Sequence, residues 1–172
     1  MRWADGYSVH AASIRMARDF KKALRKTARK IRRADGMEVS AGIFAGATYP
    51  DTGQSVAKVA LINEFGAPAA NIPARPFMRI AIARSGDAWL KGLTNSFFHG
   101  YLASGDYTLE DVGTIVGRKM EADIKEVIDI GVAPDNKPAT KRKKQRKDGT
   151  IPGTLRDTFI MRNAITYDVK VK

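Results

Sequence analysis

Hydrophobic positions in the first part of the chain recur at helical spacing. Phe20, Leu24, Ala28 and Ile31, with Ile14 and Ala17 a turn earlier, predict an amphipathic helix over 11–34. Asp35-Gly36 supplies its stop and a turn. From 37 to 46 the period changes to two: Val39, Ala41, Ile43 and Ala45 lie on one side, with Glu38, Ser40 and Gly42 opposite, which predicts a strand. The stretch 48–55 is turn chemistry throughout. The run 56–65 reads as a helix capped by Ser55 or as a second strand. The 3.6 spacing of Val56, Val59, Ala60 and Asn63 favours the helix, and Gly66 ends it. Pro73 and Pro76 stiffen the following loop, and Pro76 suits the first position of a helix. That helix begins with Phe77, Ile80 and Ala81, breaks or kinks at Ser85-Gly86-Asp87, and resumes with Trp89, Leu90, Leu93 and Phe97; 100–106 is a connection. Thr108 and Asp111 form a capping box for a helix striped by Val112, Val116, Met120, Ile124 and Ile128, with a Glu121–Lys125 pair and a stop at Gly131. Residues 133–150 have no apolar period and read as a long, flexible basic loop. A short helix over 155–162 and a strand over 164–171, alternating Ile165, Tyr167, Val169 and Val171, complete the chain.

These elements predict an α+β fold. A small mixed or antiparallel sheet packs against the long N-terminal helix and two or more central helices, with the basic loop before the C-terminal strand. An arm, 1–10, in which Trp3 and Tyr7 are the docking candidates, precedes a single domain, 11–172. The arm lacks the apolar core of a secretory signal. No run approaches the roughly 18 apolar residues a membrane span needs, so no membrane partner is expected. The chain has no cysteine, which excludes disulfides, a thiolate nucleophile and a Cys-ligated zinc site.

Charge adds what the pattern does not. Net charge is +12, which favours an anionic partner. The polar side of the first helix carries ten Lys and Arg against Asp19 alone. The second concentration is Lys137, Lys141, Arg142, Lys143, Lys144, Arg146 and Lys147, with no acid among them. His10 and His99 lack metal-ligand spacing, and no Ser-His-acid set or carboxylate pair announces itself. The reading is therefore a non-enzyme without cofactor or metal. Glu64 is the acid without an obvious helical or turn explanation; a contact with Arg75 would lock the loop between them.

Two elements in order carry a resemblance: Asn63-Glu64-Phe65-Gly66 at the end of 56–66, then Ile-Pro-Ala-Arg-Pro-Phe over 72–77, containing Pro73, Arg75, Pro76 and Phe77. They are followed by the basic Lys137-Pro138-Ala139-Thr140 stretch, then Leu155-Arg156-Asp157-Thr158 and Ala164-Ile165-Thr166-Tyr167-Asp168-Val169. Over about 39–169 the chain resembles the neck and tail-completion proteins of tailed bacteriophages, also described as virion morphogenesis or minor tail proteins. It departs at Phe159, where that family has glycine after Asp-Thr, and in its strongly cationic first helix.

The resemblance implies a tail-terminator-like α/β subunit assembled as a ring, commonly a hexamer. Such a ring caps the tail and meets the head-side connector or stopper on one face and the tail tube on the other. Genomic DNA passes through its lumen. The implied location is the virion neck or tail, and the host cytoplasm during assembly. The alternative from charge alone is a non-enzymatic nucleic-acid-binding protein acting outside the virion. No aromatics interleave the basic loop, which argues against single-strand stacking.

Overall fold

The structure, a computed structural model, describes residues 6–156 and 158–172, with side chains from residue 15 onward. Among these residues the order is α1 (Gly6–Ala34), β1 (Met37–Ile43), α2 (Val56–Phe65), α3 (Phe77–Asn95), α4 (Leu109–Ile130), α5 (Pro138–Lys144), α6 (Ile160–Asn163) and β2 (Ile165–Val171). A 3-10 turn, Pro68–Ala70, follows α2, and a π-helical segment, Ser96–Ser104, extends α3. The fold is α+β, with a long N-terminal helix, central helices and a two-stranded antiparallel sheet.

β1 and β2 pair in full register, Met37 opposite Val171 through Ile43 opposite Ile165. Period-two alternation places Val39, Ala41, Ile43, Ile165, Tyr167 and Val169 on one face and Glu38, Ser40, Thr166, Asp168 and Lys170 on the other. α4 covers the apolar face. It comes close because Gly113 and Gly117 lie one turn apart on the covered side. A Cβ at Gly113 would overlap Val169 and crowd Val39, and one at Gly117 would overlap the Tyr167 ring.

α3 packs on α4 and closes the core, where Phe77, Trp89, Val116, Ile124, Ile128 and Ile165 are buried together. Each such side chain contributes roughly 1.5–3 kcal/mol of apolar burial. Asp123 is 5% exposed inside this contact. Its carboxylate accepts from Trp89 Nε1 at 2.7 Å and Lys119 Nζ at 2.5 Å. Burial pushes its pKa up, but the hydrogen bonds from Lys119, Trp89 and Ser85 together outweigh it, so the carboxyl titrates below its ordinary value. This gives a physical reason for the unbroken helix at Ser85-Gly86-Asp87, where the sequence predicts a break. Ser85 faces Asp123, and Ala81 and Trp89 are buried on either side. That packing outweighs the roughly 1 kcal/mol that a mid-helix glycine costs.

The remaining differences from expectation are local. The arm predicted over 1–10 is helical from Gly6; Trp3 lies outside the described residues, as does the side chain of Tyr7. The connection predicted from Gly100 belongs to the π-helical segment as far as Ser104. The predicted basic loop contains α5, which Pro138 starts at its first turn and Lys141 steadies by pairing with Asp135 at 2.5 Å. The short C-terminal helix is confined to Ile160–Asn163. The largest difference concerns α1: the helices on the sheet and core are the central ones, whereas the apolar side of α1 faces solvent. Phe20 is 66% and Leu24 53% exposed. α1 meets the body near its C-terminal end, where Lys30 Nζ donates to Tyr101 O at 2.6 Å and sits 5.0 Å from the Tyr101 ring centroid.

Two predictions test this packing. Gly92, in α3, has nothing within 4 Å of a built Cβ. Gly92→Ala is expected to stabilise by about 0.5–1 kcal/mol through helix propensity, while Gly113→Ala destabilises by about 1–2 kcal/mol because overpacking exceeds that gain. Urea midpoints read both, and the same sign at the two sites would refute the close seating of α4. The second concerns Asp129 on α4, which accepts from Arg162 Nε at 2.7 Å and Nη2 at 2.6 Å. The hydrogen bonds from Arg162 hold the Asp129 carboxyl below its ordinary value. A lowered folded pKa contributes stability above the unfolded value near 3.9, lost as pH falls through the folded value. Between about pH 6 and about pH 3 the stability of Asp129→Asn should therefore fall less steeply than that of the unaltered protein.

Candidate functional site

The Asn63–Gly66 and Pro73–Phe77 elements are held as one unit. Ser55 caps α2 by accepting from Lys58 N, and α2 ends at Gly66, whose φ is +77°. Gly66 suits this turn twice over: its φ is left-handed, and a Cβ would come within 2.8 Å of Ala74 N and 3.0 Å of Ile72 O. The chain folds back through the Ala67–Ile72 bridge, and Arg75 N donates to Asn63 O at 2.6 Å. The Asn63 side chain donates to Val59 O at 2.9 Å. Phe77 enters the core at 1% exposure, and Phe65 is exposed.

Glu64 is a lock, but its partner is Arg79, not Arg75. Its buried carboxylate accepts from the backbone N–H groups of Met78 at 2.9 Å and Arg79 at 3.2 Å, capping the first turn of α3. Arg79 Nε donates to the same carboxylate at 2.9 Å and Nη2 donates to Glu64 O at 2.8 Å. The Arg79 guanidinium lies over the Phe65 ring, 5.2 Å from its centroid. Arg75 instead is buried on another side, where Nε donates to Pro134 O at 2.9 Å and ties down the chain leaving α4.

That turn of Arg75 opens a cleft of about 380 Å³. Its lining brings together residues from three separate predicted motifs: Asn63 and Arg75, Lys144 from the basic stretch, and Thr158 from the C-terminal element. Tyr49, Asn136 and Phe159 complete much of the wall. Asp157 lies outside the described residues. Tyr167 is elsewhere, packed against Gly117 with its hydroxyl accepting from Arg118 Nε at 3.3 Å. Of the other basic positions, Lys137, Arg142, Lys143, Arg146 and Lys147 are exposed. Arg146 N donates to Thr150 O at 2.9 Å, closing a turn around Gly149.

Phe159 takes φ +58° and ψ 0°, the left-handed region that glycine adopts most readily.

Sequence reasoning missed the Gly113/Gly117 seam, the Asp129–Arg162 pair and the buried Trp89–Asp123 bond. The glycine spacing was visible, whereas the other two join residues more than thirty positions apart. Among the described residues, no three His, Asp or Glu side chains stand together as metal ligands, and no helix is long and apolar enough to cross a membrane. Comparison of the chain with protein-family models, with curated proteins and with solved structures finds no match.

A double-mutant cycle separates the two arginines. Glu64→Ala is expected to cost about 2–3 kcal/mol, because it removes a cap and leaves buried donors unpaired. Coupling of Glu64 to Arg79, which is 57% exposed at its side chain, should be about 0.5–1 kcal/mol after solvent screening. Coupling of Glu64 to Arg75 should be near zero. A larger coupling to Arg75 would refute this geometry.

Proposed function

We propose that the chain is a structural subunit of the head–tail junction of a tailed bacteriophage. In this reading it forms a neck, tail-completion or tail-terminator ring that caps the tail and joins it to the head connector. The observation that carries the reading is the ordered pair Asn-Glu-Phe-Gly and Ile-Pro-Ala-Arg-Pro-Phe, 63–66 and 72–77. Three features of the molecule support it. The pair closes into one hydrogen-bonded unit through Glu64 and Arg75. The later Pro138 and Thr158 elements converge with that unit on the Arg75 cleft through Lys144 and Thr158. Phe159, where the resembled pattern has glycine, holds a left-handed backbone of the kind glycine adopts readily.

The geometry suits a structural role: Glu64 and Arg75 tie α2, α3 and the chain after α4 to one another. The exposed cations of the 137–147 stretch would face DNA in the lumen or an acidic neighbouring ring, with phosphate neutralisation requiring only Lys and Arg. The segregation of basic residues also favours the second reading, a nucleic-acid-binding protein outside the virion.

Particles assembled without this protein are expected to accumulate as filled heads and separate tails, and adding the purified protein should join them. Removing 141–147 tests the part the basic stretch takes in that joining. Normal joining in the complete absence of the protein, together with salt-sensitive duplex DNA binding by a monomer, would replace the neck reading with the second one.

A further inference from the structure

We infer that α1 lies along the surface of an anionic phospholipid bilayer, with its apolar ridge against the acyl chains and its flanking cations at the headgroup phosphates. The inference goes beyond the neck reading and does not depend on it. It needs no membrane span, because a helix of this kind lies in the interface instead of crossing it.

The first observation is how α1 stands. Every side chain from 15 to 29 is exposed, and contact with the body is made near Lys30 and Ala34. That free part of the helix is open along roughly 20 Å, at 1.5 Å per residue. The second is the separation of its two sides. At 3.6 residues per turn, Met16, Phe20, Leu24 and Ile31 fall within an arc of about 80°. All four are at least half exposed. Ala17, Ala23 and Thr27 widen that side without adding charge. The ten Lys and Arg fill the opposite half of the circumference, with Asp19 alone among them. Lys21 stands at one border, and Lys30, which Tyr101 holds, stands at the other. An apolar strip of large side chains beside a broad cationic side is the pattern of a helix that lies in a membrane interface.

Other occupants satisfy less of this arrangement. A duplex would take the cations and leave Phe20 and Leu24 in water. A second copy offers no complementary charge, because residues 35–172 hold nineteen Lys and Arg against sixteen Asp and Glu. An acidic protein groove that received the ridge would reach the cations at its rim, such as Lys21, but not Arg18 and Arg29 opposite the ridge. A charged plane reaches further. A helix about 10 Å across is comparable with the Debye length of about 8 Å at physiological salt, so cations on the far side remain within the field of the anionic surface. At the borders, long Lys and Arg stems lie against the apolar layer while their charges stay at the phosphates. Ridge and cations are thus engaged together.

The test is flotation of the full chain with lipid vesicles. The protein is expected to float with equimolar phosphatidylglycerol and phosphatidylcholine, about 10-fold or more weakly in roughly 0.5 M salt, and not with phosphatidylcholine alone. Phe20→Ser with Leu24→Ser should weaken binding on the order of 10-fold or more. The melting temperature should not change, because both sites are exposed. Leu90→Ser, at an equally exposed apolar site on α3, should bind like the unaltered protein. Because the chain has no cysteine, a polarity-sensitive dye can be attached at Phe20→Cys or at Arg29→Cys. On vesicles the dye at 20 should enter an apolar environment, and the dye at 29 should stay in water. Absence of flotation with phosphatidylglycerol would overturn the inference. So would flotation that the serine pair leaves unchanged while the dye at 20 stays in water, which is adsorption of a polycation only. Duplex DNA bound equally by the serine pair and the unaltered protein, without flotation, would assign the cations of α1 to nucleic acid instead. Head–tail joining in the absence of lipid judges the neck reading separately.

Discussion

The seating of α4 on the ribbon of β1 and β2 is the contact on which the other elements depend. Two antiparallel strands alone are marginal in water, and these two are far apart in sequence, with α2 to α6 between them. Pairing them closes a very long loop, so the entropy cost precedes any gain from the ribbon itself. α4 supplies that gain by covering the apolar face, and Gly113 and Gly117 let it approach closely enough to bury Val39, Val169 and Tyr167 at least in part. An adjoining side of α4 then receives α3 through Trp89 and Asp123. α3 in turn is capped by Glu64 from α2. Each layer is positioned by the one before it.

Much of this order was legible because it is written in local signals. The switch of hydrophobic period from 3.6 to two at Asp35-Gly36 marks α1 and β1, and the Thr108–Asp111 box and Gly131 mark both ends of α4. α2 was legible to its bounds because Ser55 and Gly66 punctuate it. What was not legible depends on partners remote in sequence. The break expected at Ser85-Gly86-Asp87 weighs local propensity correctly, yet Asp123 from another helix decides the outcome. α5 has no apolar stripe to read, and its start depends on Pro138 and its support on Asp135.

The motif around Glu64 shows how far a sequence-level pairing argument reaches. Glu64 does need a basic partner and does fasten the loop. Arg75 was the nearer cation in sequence, but Pro76 between it and the helix offers no N–H and directs the chain into α3. The first free backbone donors of that helix, at Met78 and Arg79, therefore point at Glu64, and the Arg79 side chain follows them. Arg75 is left to face the chain after α4, beside a cleft that Lys144 and Thr158 also line.

α1 poses the remaining physical problem. Isolated helices draw little stability from propensity, and most helical stability in proteins comes from tertiary packing of one face. Like charges at i, i+4, such as Lys22–Lys26 and Arg29–Arg33, subtract further. Lys30 and Tyr101 anchor one end, but this contact covers none of Met16, Phe20 and Leu24. Among the described side chains, the packing of α1 within one copy is confined to its C-terminal end. Whatever covers its ridge must offer apolar surface for Met16, Phe20 and Leu24 and negative charge for the cations beside them.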